Sequence, residues 1–428
     1  MKAINIKTEY LKNPLCIDID NPRIMWNCEG GITQTAYRIA TDEWDSGKVK
    51  SSSMHGTVPV VFKRGKRVNF KIKLWDEKDC EGEWSEECFF EYGIKNWSGE
   101  WITGNYTVDK SKRYPVDCFL KKFAVRKEVV KARLYITACC ATLNGERFSM
   151  PLAPGITDYN KRIQYQTYDI TSMLKHMNTL EIQLADGWYR GSTGAWGITN
   201  QYGTQTKFIA ELEIFYADGE VKKIVTDGTW NWSNDGEIRF ADNKDGEIVD
   251  ARMTPSYGKF AKVTNNNVVP VCSNNVPIAE KERFKPTASK TPSGKTLLEF
   301  PNNLAGYISF SLSANAGEKI KMRFGEMLDK NGELTLKNIQ CSSKKKTTPL
   351  QKIEYICKDG ENNYKTKFAI FGFKYVEIET DIDLTNAEFT AIAVHSNMEE
   401  TGFFDSSNEL LNKLVDATKW STKSNRVD

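Results

Sequence analysis

The hexapeptide Lys319-Ile320-Lys321-Met322-Arg323-Phe324 puts an apolar side chain at every second position and a cation before each one. Successive side chains of an extended chain point to opposite faces, so this spacing predicts a strand with one face buried and the other in water. Phe70, Ile72 and Leu74 repeat the pattern around Lys71 and Lys73, as do Leu180, Ile182 and Leu184 around Glu181 and Gln183. Val376 and Ile378 alternate in the same way with Glu377 and Glu379. Between such runs stand Asn144-Gly145, Asp218-Gly219, Asp227-Gly228, Asp235-Gly236, Asn331-Gly332 and Asp359-Gly360, residue types that accept the positive φ of tight hairpins. Short strands joined by hairpins predict an all-β chain of tandem sandwiches.

At roughly 150 residues per domain, a chain of 428 residues predicts about three domains. Its 40% hydrophobic and 27% charged residues exclude disordered, collagenous and membrane compositions. Lys+Arg 59 against Asp+Glu 56 leaves a net charge of +3. The one dense basic run, Lys344, Lys345 and Lys346, lies in a polar stretch and reads as a solvated loop, so no nucleic-acid partner is expected. The opening MKAINIKTEYLKN lacks the apolar core of a secretory signal, and no run of about 18 apolar residues occurs. A soluble, cytoplasmic protein with no membrane partner is expected. Ten cysteines without a C-x-x-C pair give neither a zinc pattern nor a disulfide framework, and buried free thiols are expected.

Composition shifts mark two boundaries. Near residues 93 to 100 the strand ending CFFEYG gives way to NWSGEW, and residues 264 to 295 hold four of the thirteen prolines with little periodicity, the character of a linker or an extended edge. The last segment departs from the β pattern. Ser406 and Glu409 stand at capping-box spacing, and Leu410, Leu411, Leu414 and Ala417 share one helical face running up to Trp420. That stripe needs cover, since an isolated helix of this length is marginal in water. Either it lies on the preceding sandwich or it opens a further helical domain, and the second is expected.

Two constellations carry candidate chemistry. ADGWYRGSTGAWG brings Asp186, Trp188, Tyr189, Arg190 and Trp196 among flexible glycines, and sugars are bound by stacking on aromatic faces with polar groups reading their hydroxyls. The competing reading makes these aromatics caps of the sandwich core, or a surface that docks this unit onto a further domain. Asp242, Asn243 and Asp245, followed by Glu247 and Asp250, offer oxygens to a hard cation such as calcium, or simply form a solvated turn. The EF-hand template fails there, with Ala241 at its first ligand position and Arg252 at its last. His55, His176 and His395 lie far apart, and the glycines of 187 to 197 lack the strand-loop-helix setting of a dinucleotide site. No cofactor is required by any of these patterns.

Several stretches together resemble the bacterial α-L-rhamnosidases, a glycoside hydrolase family. NPRIMWNCEGGITQTAYRIA with WDSGKV and KLWDEKDCEGEWSE is similar to the fibronectin-like module that opens these enzymes. LAPGITDYNKRIQYQTYDIT, LADGWYRG, YADGEVKKIVTDGTWNW and DGEIVDARM resemble the family's amino-terminal jelly roll. GEMLDKNGEL, FAIFGFKYVEIE and the segment from Ala393 to Asp428 look like its next sandwich and the first helix of its (α/α)6 barrel. The resemblance implies a fibronectin III-like module at 1–95, a jelly roll at 96–275, a second β-sandwich at 276–398 and the first barrel helix at 399–428. The family's catalytic carboxylates lie in the barrel, so no catalytic residue is expected here. The expected function is that of the amino-terminal, non-catalytic part of an inverting α-L-rhamnosidase, with rhamnose-containing glycosides or polysaccharides and the helical catalytic domain as partners. An independent carbohydrate-binding module and a ligand-free scaffold are the alternatives. Calcium is a further implied ligand, because some family members have a calcium-dependent rhamnose site in this jelly roll. Two departures stand out: YITACCATLNGERFSMP is shorter than the family's strand and hairpin, which predicts unpaired ladder groups, and Ile156 replaces the more frequent Trp.

Overall fold

The computed structural model describes residues 1–109, 111–138, 140–342 and 347–427. The Lys344, Lys345 and Lys346 run and Cys139 lie outside the described residues. The chain is all-β apart from short helical turns and one long helix near its end.

The first hundred residues form two small sheets. Lys2–Thr8, Arg23–Glu29 and His55–Thr57 make one; Val49–Lys50, Ala36–Thr41, Arg67–Trp75 and Cys88–Glu91 make the other. The alternation decides which side chains face inward: Phe70, Ile72 and Leu74 meet Ile24, Trp26 and Ile39 in the core, and the intervening lysines lie on the opposite face of the strand.

The second unit sets a five-stranded sheet, centred on Val129–Ile136, against a six-stranded sheet centred on Met177–Leu184 and Asp117–Ala124. Leu134, Ile136, Leu212 and Ile214 from one face Phe119, Leu180 and Ile182 from the other. Within the shortened 135–151 run, for which unpaired ladder groups are expected, residues 140–143 and 146–147 are paired. Cys140–Leu143 pairs residue for residue with Leu180 to Gln183, and Asn144-Gly145, both at positive φ, turn the chain into Glu146–Arg147.

The third unit is a ten-stranded sheet built around the long strand Thr296–Ala314, which pairs with both Phe371–Glu379 and Glu388–Ser396. Its edge is Ile278–Phe284, so the proline-rich 264–295 stretch supplies an extended edge strand. The hairpin Ile238–Asp242 and Gly246–Asp250 joins this sheet as well, through parallel pairing with Lys352–Ile356. Its Asp242–Gly246 turn is thereby carried to the junction of the second and third units.

Two features correct sequence expectations. Cys16 and Cys272 form a disulfide across 256 residues, with Cα atoms 5.8 Å apart. The expectation of free thiols fails for this pair because only folding brings the two positions together. The helix Glu409–Ser424 is capped by Asn408, whose side chain accepts from the Leu410 and Leu411 amides, rather than by Ser406. Its inner side is held by Trp420 against Phe284 and by Lys423 on Glu282. Leu410, Leu411 and Leu414 point away from the sandwich, with exposures of 75%, 45% and 62%.

Candidate functional site

A hollow opens where the second unit meets the third. Three segments supply its aromatic walls: Trp101 from the NWSGEW boundary, Tyr159 following the LAPG turn, and Trp188 with Tyr189 from the ADGWYRG turn; Phe368 comes from the third unit. Tyr159, Tyr189 and Tyr202 brace one another, with Tyr159 and Tyr202 ring centres 5.0 Å apart. Apolar rings around a few polar groups suit the C–H faces and hydroxyls of a pyranose.

The polar floor is an ion-pair network. Asp186 is buried and accepts from Arg113 Nε and Arg190 Nε, each at 2.7 Å. Asp242, also buried, accepts from Arg113 Nη2 at 2.7 Å, the Ser192 amide at 2.7 Å and the Asp245 amide at 3.0 Å. Gly191 is required here, since a Cβ at that position would lie 2.3 Å from the Gly187 carbonyl and 2.9 Å from Asp242 Oδ2. Behind the floor, Arg190 Nη1 donates to Tyr106 at 2.7 Å. Asp117 is completely buried and accepts from Trp232 Nε1 and Thr206 Oγ1, both at 3.0 Å. Burial raises the Asp117 pKa to about 6, although Arg190 and its hydrogen-bond donors favour its ionised form.

Of the residues named from sequence, Asp186, Trp188 and Tyr189 line the hollow. Arg190 turns inward and holds Asp186 in place. Trp196 is 68% exposed and is not among the lining residues. Asn243 lines the hollow, whereas Asp242 and Asp245 face protein donors: Asp245 Oδ1 accepts from Thr348 Oγ1 at 2.9 Å and the Leu350 amide at 3.1 Å. Oxygens so engaged do not suit calcium, which takes six to eight oxygen ligands. Among the described residues no group of three or more His, Cys, Asp and Glu side chains is placed to hold a metal. Trp101, Tyr159, Lys207 and Phe368 also line the hollow but were not singled out from sequence. Tyr159 belongs to the quoted LAPGITDY stretch and was legible there as an aromatic beside a turn; the others become neighbours only through strand pairing.

The two lining or floor carboxylates, Asp186 and Asp242, are each paired with arginine, and the carboxyl with a raised pKa, Asp117, does not line the hollow. Hydrolysis of a glycoside by two carboxyl groups requires one protonated acid and one base on either side of the scissile bond. Among the described residues the hollow presents no such pair, and its arrangement suits binding.

Comparisons with known proteins locate the same units. Residues 3–96 match a Rha78A-like amino-terminal immunoglobulin domain, residues 127–290 an α-L-rhamnosidase N-terminal domain, and residues 289–395 a bacterial α-L-rhamnosidase concanavalin-like domain. An α-L-rhamnosidase of Alteromonas sp. (strain LOR) is 30% identical over 98% of this chain and 50% of its own length. The solved α-L-rhamnosidase of Dictyoglumus thermophilum superimposes with a TM-score of 0.86 at 26% identity, over 99% of this chain and 52% of that one. That of Aspergillus terreus gives 0.85 at 25% identity, over 100% of this chain and 52% of that one. The chain thus spans about half the length of the curated relatives it matches.

Proposed function

The chain belongs to the bacterial α-L-rhamnosidase family, to whose amino-terminal, non-catalytic portion it corresponds, and from that premise we propose that it serves as a sugar-binding accessory unit. The reaction served is release of terminal α-L-rhamnose from glycosides or polysaccharides. We assign a fibronectin III-like module to residues 1–95, a jelly roll to 96–275, a second sandwich to 276–398, and the opening helix of an (α/α)6 barrel to 399–428. The exposed Leu410, Leu411 and Leu414 face is the surface proposed to pack on the remaining helices of that barrel.

One observation carries the binding role: the aromatic hollow whose floor carboxylates are already neutralised by Arg113 and Arg190. A scaffold without a ligand gives no reason for Trp188 and Tyr189 to border an open cavity. Calorimetric titration with L-rhamnose tests it. Binding is expected to be weakened roughly tenfold by Trp188→Ala, the order of one lost aromatic contact of about 1 kcal/mol or slightly more. Trp196→Ala is expected to leave affinity unchanged, and a chelator likewise. Equal affinity in the wild type and Trp188→Ala contradicts the assignment.

A further inference from the structure

We propose that the hollow selects an anionic saccharide, with Lys207 meeting a carboxylate or sulfate on the unit next to the one held by the aromatic wall. The proposal rests on the reading of this hollow as sugar-binding and names the class of sugar.

Lys207 is half-buried in the wall of the hollow, on the short strand Lys207–Phe208 that pairs with Trp101–Thr103. Its ammonium donates to the Asn265 carbonyl at 2.9 Å, and no ion pair among the described residues includes it. Burial pushes its pKa below the usual lysine value, with no carboxylate offsetting that effect. A cation taken partly out of water without a counter-charge is costly, and the cost is recovered when an anion arrives. The nearby carboxylates cannot fill that role, since Asp186 and Asp242 are bound to Arg113 and Arg190.

Two more observations give the site direction. Lys207 and Tyr189 also border a second, polar recess lined by Thr103, Thr204, Gln205 and Thr264. Lys207 and Tyr189 are thus common to both linings, and the proposed ligand of two sugar units places one unit in each with its anionic group at Lys207. Within the hollow, Asn243 is 5% exposed and its Nδ2 has no hydrogen-bond partner. An unsatisfied buried donor in a cavity wall asks for an acceptor from the ligand. A cation and a free amide donor on one cavity favour an acceptor-rich, negatively charged guest over a neutral one.

The test is calorimetry on the full chain with three disaccharides, each an α-L-rhamnosyl unit on a neutral hexose, on a uronic acid, or on a sulfated hexose. At low salt, one or both anionic sugars are expected to bind about tenfold more tightly than the neutral one, and about 0.5 M salt narrows the ratio. The ratio falls toward one in Lys207→Met and is retained in Lys207→Arg, with circular dichroism confirming that both variants fold. Whichever anionic sugar carries the preference identifies carboxylate or sulfate as the group read. Equal affinity of the wild type for all three, or a ratio that persists in Lys207→Met, overturns the proposal and leaves the hollow a neutral-sugar site. Absence of binding by all three overturns the sugar-binding reading as well.

Discussion

Asp117 shows how one side chain couples the candidate site to solution conditions. It lies fully buried beside Trp232, Thr206 and Tyr106, directly behind the hollow, and its pKa is raised from 3.8 to about 6 chiefly by burial. The folded chain therefore holds this proton up to about pH 6, while the unfolded chain releases it near 3.8. Between those values the native state binds more protons, so the group's contribution to stability is greatest at low pH and falls as the pH rises through the window. A shift of that size corresponds to roughly 3 kcal/mol. Thermal melts of the wild type from pH 4 to 7 are expected to carry this downward contribution, and Asp117→Asn to remove it; identical pH profiles contradict the assignment. None of this was legible in the sequence. Asp117 sits in the run DCFLKKFA, where nothing marks it apart from any other aspartate, and its environment exists only once Thr206 and Trp232 have been brought in from later strands. Trp188 and Tyr189 were readable because local chemistry, aromatics in a glycine-bounded turn, already suggested a wall. Trp196 shares that chemistry a few positions further along the same glycine-rich stretch, yet its loop carries it into solvent.

Between elements, the contacts that lock one unit to the next are long-range. Arg133 on the second unit, 2% exposed, clasps Glu91 of the first with two hydrogen bonds of 2.8 Å. The Cys16–Cys272 bond lies nearby, packed against Tyr165 and Ile94. Disulfides of this kind stabilise typically by about 2–4 kcal/mol. Thiol titration of the denatured chain is expected to find Cys16 and Cys272 only after reduction, and reductant to lower the first melting transition. Ten titratable thiols before reduction contradict the pairing. Period-two patterning made the strands themselves legible, because alternation is a local consequence of burying one face. It was silent on partners: the hairpin Ile238–Asp242 and Gly246–Asp250 reads like its neighbours in sequence, but its second strand pairs with Lys352–Ile356 of the third unit. The terminal helix was also legible, though its cap lies two residues later than expected: Ser406 Oγ accepts from the Asn408 amide ahead of the helix, and Asn408 takes the Leu410 and Leu411 amides of its first turn. Its bare leucine face predicts self-association, and Leu410→Lys with Leu414→Lys is expected to shift sedimentation toward monomer; an already monomeric wild type contradicts this.

At the scale of the whole molecule, the accessible surface is 21164 Å², against about 17,000 Å² for a compact globule of this mass. Tandem units and an outward-facing helix account for the excess. Their arrangement places an aromatic hollow, its floor carboxylates paired with arginine, at a junction while presenting no opposed acid and base there among the described residues. The proposed role is sugar binding without hydrolysis. The most direct measurement is an assay of the chain alone with an aryl α-L-rhamnoside, at substrate levels that saturate L-rhamnose binding. No release of aryl alcohol above the buffer rate is predicted; turnover that tracks chain concentration rules out a purely binding role.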